Sequence, residues 1–332
     1  MRGCATPHVR EEDEVSELPA RPENPDLIFV GGTGRSGTHV VSHLLGSHPR
    51  YARVPIECRF HCNPQGFPDL IHGRIEPDVF LRKLKKFWWR RIRAGEVAPV
   101  VARRLAFGRK VRGLHKIVPR ERFDAAIAEF ERTHPTDLEG ACRNLFLDLL
   151  WPLTDEQGKP GLIEMSCFTI AESPTLQTLF PEAKLIHTVR DGRDAASSKV
   201  SKRQKRSHPR DGLEGLRWWE GRLRNIERGV GRLGDPSKLL CVSLDDLVAG
   251  DRDGVYSELL AFTGLDDTPE MRGFFDGEMS ADAAHKERWR EGLTEKRQSD
   301  LIREYEKVLE RLEREGFHCA PQLRAAYERQ PA

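Results

Sequence analysis

The segment DLIFVGGTGRSGTHVVSHLL, from Asp26 to Leu45, constrains this chain more than any other stretch of it. Asp26 to Val30 is a short apolar run that ends in glycines, the pattern of a buried parallel strand. After the glycines, Thr38 to Leu45 carries apolar residues at helical spacing. Strand, glycine loop and helix open a βα unit, and so point to an α/β architecture. The loop also carries chemistry. Glycines let the backbone turn sharply and bring its N–H groups close to a ligand. The helix that follows aims unpaired N–H groups and a partial positive charge at the same place. Arg35 adds a cation, and Ser36 and Thr38 add hydroxyl donors. Together they predict an anion cradle.

Three nucleotide readings compete for this cradle. A Walker A loop needs Lys after its last glycine, whereas Gly37 is followed by Thr38, which argues against ATP or GTP hydrolysis. Gly32, Gly34 and Gly37 satisfy a dinucleotide fingerprint, with Glu57 placed where such a fold puts its ribose-binding acid. That reading predicts an NAD(P)-dependent oxidoreductase. The third reading is a phosphosulfate loop, in which the cation precedes the last glycine.

A second segment, KLIHTVRDGRDAASSKVSKR, follows the same plan of strand, charged turn and helix. Arg190 falls at the end of its strand, the edge at which open α/β sheets bind ligands. Ser198 follows about two helical turns later. Arg offers planar, bidentate recognition of phosphate, and Ser offers a hydroxyl. Lys202 would share a helical face with Ser198. Gly161 to Met165, Lys184 to Val189 and Leu239 to Leu244 read as further core strands, with helices over Ala171 to Phe180 and Gly215 to Leu233 between them. The alternation predicts one three-layer domain with a mostly parallel sheet. Residues 1–25 read as a polar, mobile lead-in, 26–318 as the domain, 66–160 as a basic helical insertion within it, and 319–332 as a tail. Leu301, Ile302, Tyr305, Val308, Leu309 and Leu312 share one face of an amphipathic helix near the end.

The two motifs, about 150 residues apart, resemble the 5′-phosphosulfate loop and the 3′-phosphate motif of the sulfotransferases that use 3′-phosphoadenosine 5′-phosphosulfate (PAPS). The likeness runs from about Asp26 to Phe317 and is poorest across 66–160. It implies a P-loop-like fold and transfer of a sulfuryl group from PAPS to a hydroxyl, leaving adenosine 3′,5′-bisphosphate. It places Thr33, Gly34, Arg35, Ser36, Gly37, Thr38 and His39 around the 5′-phosphate and Arg190 and Ser198, with help from Lys202, on the 3′-phosphate. Trp289 matches a Trp-containing segment near the nucleotide. Leu244 stands where many members carry a tyrosine, which puts one nucleotide contact in doubt.

Sulfuryl transfer is an in-line displacement that needs a base for the acceptor hydroxyl and stabilisation of charge on the leaving phosphate. Arg35 is the expected stabiliser, and no metal is expected to be required. PIECR resembles the segment that supplies a catalytic Glu in tyrosylprotein and some carbohydrate sulfotransferases, which makes Glu57 the leading base. An ion pair of Glu57 with Arg59 is the bland alternative, and His39 and His61 are alternative bases. Met165 stands where tyrosylprotein enzymes place a catalytic Lys, which weakens protein tyrosine as the acceptor; Glu164 and Ser166 remain candidate site residues. The expected acceptor is a carbohydrate, a glycolipid or another small molecule. A non-catalytic nucleotide-binding or membrane-associated protein is the third reading.

Composition sets outer limits. The 332 residues have a net charge of +2 and 38% hydrophobic residues, with no apolar run long enough to span a membrane. The N-terminal stretch lacks a signal-peptide apolar region, and seven cysteines are an odd count, so reduced thiols in a cytoplasmic setting are expected. Cys58, Cys62 and His61 invite a metal reading, but no second ligand pair follows at zinc spacing, so ordinary thiols are expected. From Arg82 to Arg112 twelve Lys or Arg face one acidic residue, Glu96, with Phe87, Trp88 and Trp89 interleaved. Such a stretch suits an anionic or lipid-linked acceptor, a membrane surface or a solvated helix face. No nucleic-acid module accompanies it.

Overall fold

The computed structural model describes residues 18–92, 111–201 and 208–330. Its centre is a five-stranded sheet: β1 (Leu27–Gly32), β2 (Tyr51–Arg53), β3 (Gly161–Met165), β4 (Lys184–Val189) and β5 (Leu239–Ser243). The spatial order is β2-β3-β1-β4-β5, and every pairing is parallel. β1 and β3 are buried along their whole length because helices cover both faces, and β3 buries the charged Glu164 among its apolar residues. Ser243 ends β5 early, because its hydroxyl accepts from Asp246 N and caps the next helix. The sequence does not announce β2, three residues long with Arg53 at its end.

Alternation along the strands sorts the core into two faces. Ile28, Val30, Ile163, Ile186 and Val242 pack on one side with α1 (Thr38–Ser47) and the helices after β5. Leu27, Phe29, Leu162 and Leu185 pack on the other with α2 (Arg120–Thr133) and α3 (Leu138–Leu150). Val189 and Cys241 continue that second face, against α5 (Gly212–Val230) and α6 (Glu295–Arg314). This is the expected three-layer α/β fold. Residues 66–160 are mainly helical where described, apart from an antiparallel pair of two-residue strands, Arg91–Ile92 and Val111–Arg112, and share a core with β1 and β3 rather than forming a separate unit.

The described residues near each end are tied down more firmly than their sequences suggest. Of the lead-in, residues 18–25 are described: Arg21 donates twice to the buried carboxylate of Asp148, at 2.5 and 2.8 Å. The segment expected as a tail folds as α7 (Ala320–Glu328), which buries Leu323 and Ala326. Between β3 and β4, Thr169–Glu172 is a 3-10 turn before a short helix, Ser173–Leu179. No helix among the described residues is long and apolar enough to cross a membrane.

Candidate active site

In the order β2-β3-β1-β4-β5 the chain leaves β1 toward one edge and returns to its other side at β4. The C-terminal ends of β1 and β4 therefore form the switch point, where crevices open in such sheets. The loop after β1 adopts a shape that requires its glycines. Gly34 has φ +80°, Arg35 +69° and Gly37 +90°. For Arg35 this left-handed conformation costs about 1–2 kcal/mol. A side chain at Gly32 would meet Ser36 Oγ at 2.4 Å and Thr188 O at 2.5 Å. The Ser36 and Thr188 hydroxyls lie 3.2 Å apart, which joins the loop to β4. Helix α1 starts at Gly37 without a side-chain cap and with no acidic residue in its first turn, so its N–H groups stay open to an anion.

The turn after β4 is shaped differently. Arg190 is 8% exposed and donates from Nη2 to Ala284 O (2.7 Å) and His285 O (2.9 Å). Asp194 Oδ2 lies 3.5 Å from the same Nη2. Arg190 Nε is buried and has no hydrogen-bond partner. Ser198, on α4 (Gly192–Ser201), accepts from Arg35 Nε at 2.9 Å across 163 residues of chain. That contact brings the two motifs into one site. The Arg35 guanidinium is held below its ordinary value, first by desolvation and then by the charge of Arg190, with Glu57 pulling the other way. Cations that repel one another across a glycine loop are arranged to receive an anion.

Glu57 flanks this cluster. Its Oε2 pairs with Arg59 Nε at 2.7 Å and also with Arg59 Nη2, and its Oε1 accepts from the Cys167 thiol at 3.2 Å. The bland ion pair is therefore present, and it aims Glu57 beside Cys167. Gly32, Thr33, Cys167, Phe168, Arg222 and Asn225 line a narrow cleft beside the loop. Burial, followed by the Glu57 charge, raises the Cys167 thiol well above its ordinary value, so it stays a hydrogen-bond donor.

The other sequence candidates fall in different places. His39 is exposed on α1, its ring 4.9 Å from that of His43. His61 is fully buried among Phe29, Phe60 and Phe146, with Nε2 2.9 Å from Glu164 Oε2. Burial lowers its affinity for a proton, but Cys62 and Glu164 outweigh that and push its pKa up to about 10. An imidazole so enclosed and charged is a poor base. Glu164 also accepts from Ser166 Oγ at 2.7 Å, so both belong to that buried network. Trp289 is 2% exposed and lies under the site, stacked 4.5 Å from the Arg193 guanidinium. Leu244 packs beneath Gly37. Lys202 lies outside the described residues.

Sequence reasoning missed Thr188, Cys167, Asp194 and the carbonyls of Ala284 and His285. The only signal was the alternation of charge in Arg190-Asp191-Gly192-Arg193-Asp194. The described part of the basic stretch turns its rings inward. Trp88 is buried and Trp89 lies 4.1 Å from Phe123, while Arg82 and Lys85 pair with Asp78 and Glu131. Residues 93–110, including most of its C-terminal half, are outside the described set.

The dinucleotide reading fails on topology. It needs the second strand beside β1, with its acid at that strand's end. Here β3 takes that position, and Glu57 follows the edge strand β2.

The model of the sulfotransferase family matches residues 25–269, well over half the chain. Among solved structures, the chain is similar to the sulfotransferase domain of the curacin biosynthetic pathway, at 16% identity and TM-score 0.46, covering 80% of this chain and 83% of that one. It is also similar to the sulfotransferase domain of the Synechococcus olefin synthase, at 18% identity and TM-score 0.44, covering 88% and 97%. A sulfotransferase from Mycobacterium tuberculosis matches at 17% identity and TM-score 0.41, covering 87% and 76%. No curated protein matches. With the family model spanning β1 to β5 and the turns after β1 and β4, the chain belongs to the sulfotransferase family.

Proposed function

We propose that this protein transfers the sulfuryl group of PAPS to a hydroxyl of a small acceptor, and that the site at the ends of β1 and β4 holds the nucleotide. The observation that carries the reading is the contact of Arg35 with Ser198, which sets the two motifs side by side as a ligand with two phosphates would need. The residues present fit such a ligand: Arg190 Nε is buried and unpaired, and the α1 N-terminus is uncapped. Bound there, PAPS supplies a sulfuryl group on a phosphate leaving group. The loop amides from Thr33 to Thr38 and the Arg35 guanidinium hold the 5′-phosphosulfate and stabilise the charge that grows on the phosphate. Arg190 and Ser198 hold the 3′-phosphate, with Lys202 as a further cation. His39 and Trp289 border the nucleotide side, Trp289 by fixing Arg193 and its own backbone N–H on Asp194 (3.2 Å).

Glu57 takes the acceptor proton. Arg59 and Cys167 fix its carboxylate in place, and the cleft lined by Cys167, Phe168 and Arg222 is the natural approach for the acceptor. A carbohydrate, glycolipid or other small hydroxyl compound in a cytoplasmic setting fits this reading.

The test is thermal unfolding with adenosine 3′,5′-bisphosphate, with NAD and NADP in parallel. A ligand at 100 times its Kd adds about 2.7 kcal/mol of stability. A shift with the bisphosphate alone, lost in Arg190→Ala, is expected; a shift only with NAD or NADP overturns the reading. Glu57→Gln should keep the bisphosphate shift and abolish turnover with PAPS, and retained turnover removes Glu57 as the base.

A further inference from the structure

On the sheet face opposite Thr188, three side chains from three elements converge. His187 comes from β4, Cys241 from β5 and His318 from the turn before α7. One potential ligand atom from each lies within 4.8 Å of the others. His187 is 0% exposed and Cys241 8%. The two imidazoles meet directly, His187 Nδ1 to His318 Nε2 at 2.8 Å. On the outer side, His318 Nδ1 lies 2.6 Å from Glu227 Oε2, and His318 N donates to the same oxygen at 3.2 Å. A carboxylate on Nδ1 keeps the proton there and leaves the Nε2 lone pair facing inward, toward His187 and Cys241. His187 Nε2 is buried with no hydrogen-bond partner.

We propose that His187, Cys241 and His318 bind a zinc-class divalent ion, with Glu227 as the outer carboxylate that orients His318. Two imidazole nitrogens and one thiolate are a borderline-soft donor set, which suits zinc and excludes magnesium or calcium, whose ligands are oxygens. Carboxylate on histidine on metal is the usual outer arrangement of such sites. Two imidazole nitrogens on one tetrahedral ion, with bonds of about 2.0–2.1 Å, stand about 3.3 Å apart. Opening the present contact by about half an ångström is within side-chain adjustment, and the ion then replaces the hydrogen bond between the rings. His187 passes its proton from the ligating nitrogen to the other, and Cys241 releases one as it becomes a thiolate. His318 and Glu227 have side-chain exposures of 18% and 23%, so water can complete the fourth position from their side. The ion would clamp β4, β5 and the start of α7 together three residues before Arg190, holding the strand end that carries the anion site.

The experiment uses the full chain, stripped with a chelator and titrated with Co2+. The expected result is a thiolate-to-cobalt charge-transfer band with tetrahedral visible bands, saturating at one equivalent and displaced by one equivalent of Zn2+. In Cys241→Ser the charge-transfer band should vanish. In Glu227→Gln, which keeps all three ligands, the bands should persist with affinity weaker by about 10–100-fold. Absence of stoichiometric bands in the unsubstituted chain overturns the site, and so does a band that survives Cys241→Ser. Unchanged affinity in Glu227→Gln removes the outer carboxylate from it.

Discussion

The two turns that build the candidate site reach similar ends by opposite means. The loop after β1 is held by its own backbone: Gly34, Arg35 and Gly37 take positive φ, and few side chains anchor it. The turn after β4 is held by side chains from far along the chain. Arg193 is 2% exposed, pairs with Asp191 at 2.5 Å and is enclosed by Trp289, Tyr305 and Tyr327 at 4.5, 4.8 and 5.1 Å. Gln330 closes the same box through Asp191. Arg190, three residues earlier, instead donates to the backbone carbonyls of Ala284 and His285. A motif defined by its backbone can be read from a few consecutive residues, whereas one defined by distant partners cannot. Two arginines three residues apart therefore have different surroundings, Arg190 held by backbone carbonyls and Arg193 enclosed by aromatic rings.

The comparison breaks most visibly at Arg193. Burial pushes the Asp191 carboxyl up, but Arg193 outweighs it and holds the group below the ordinary carboxylate range. Arg193→Ala strands that charge inside an aromatic cluster, and a loss of about 3–5 kcal/mol is expected. Urea denaturation measures it, and a loss under about 1 kcal/mol would mean that the box does not organise the turn.

Gly37→Ala probes the backbone-built loop. Its Cβ would stand 2.6 Å from Leu244 Cδ2 at a φ of +90°. Left-handed strain of about 1–2 kcal/mol adds to overpacking of about 1–3 kcal/mol. The expected outcome is a stability loss of about 2–4 kcal/mol together with loss of the bisphosphate-induced rise in Tm. A variant that keeps that rise would show that the loop tolerates a different shape.

A pH series separates the two turns further, because only the second buries carboxyls. Burial, then the charge of Asp191, pushes Asp245 up to about 7, and burial pushes Asp194 up to about 6. Both hold a proton in the folded state at pH values where the unfolded chain has released it. Their contribution to stability is thus full below pH about 4 and is lost as pH rises through about 6 to 7. Each proton contributes a slope of up to about 1.4 kcal/mol per pH unit. Asp245→Asn should flatten the stability profile between pH 4 and 7; an unchanged slope would assign it to other groups.

The smallest effect is expected at the contact joining the turns. Ser198→Ala removes one neutral partner of Arg35, and bisphosphate affinity should fall by about 3–10-fold, on the order of 0.5–1.5 kcal/mol. Calorimetric titration resolves this. No change would show that the Arg35–Ser198 bond closes the empty site without contributing to the occupied one.

The local elements were legible in the sequence. β1, β3, β4 and β5 are short, predominantly apolar segments, as parallel strands covered on both faces tend to be, and α6 shows its buried stripe of Leu301, Tyr305, Val308, Leu309 and Leu312. β2 was not, since three edge residues carry too little pattern. Within the site, Arg35, Arg190 and Ser198 were legible as candidate residues of two motifs, and Glu57 as an acid near them; the structure brings Arg35 and Ser198 into contact. Strand order was not: the dinucleotide reading of Glu57 fell because β3, not β2, lies beside β1. Nor did the sequence tell Arg190 from Arg193, or join His187 to Cys241 and His318. By itself the sequence determined the main strands, helices and glycine-bearing turns, because periodicity and glycine act over a few residues. Only the tertiary structure decided which charges meet, because contacts between residues 54 to 163 apart depend on strand register and helix packing.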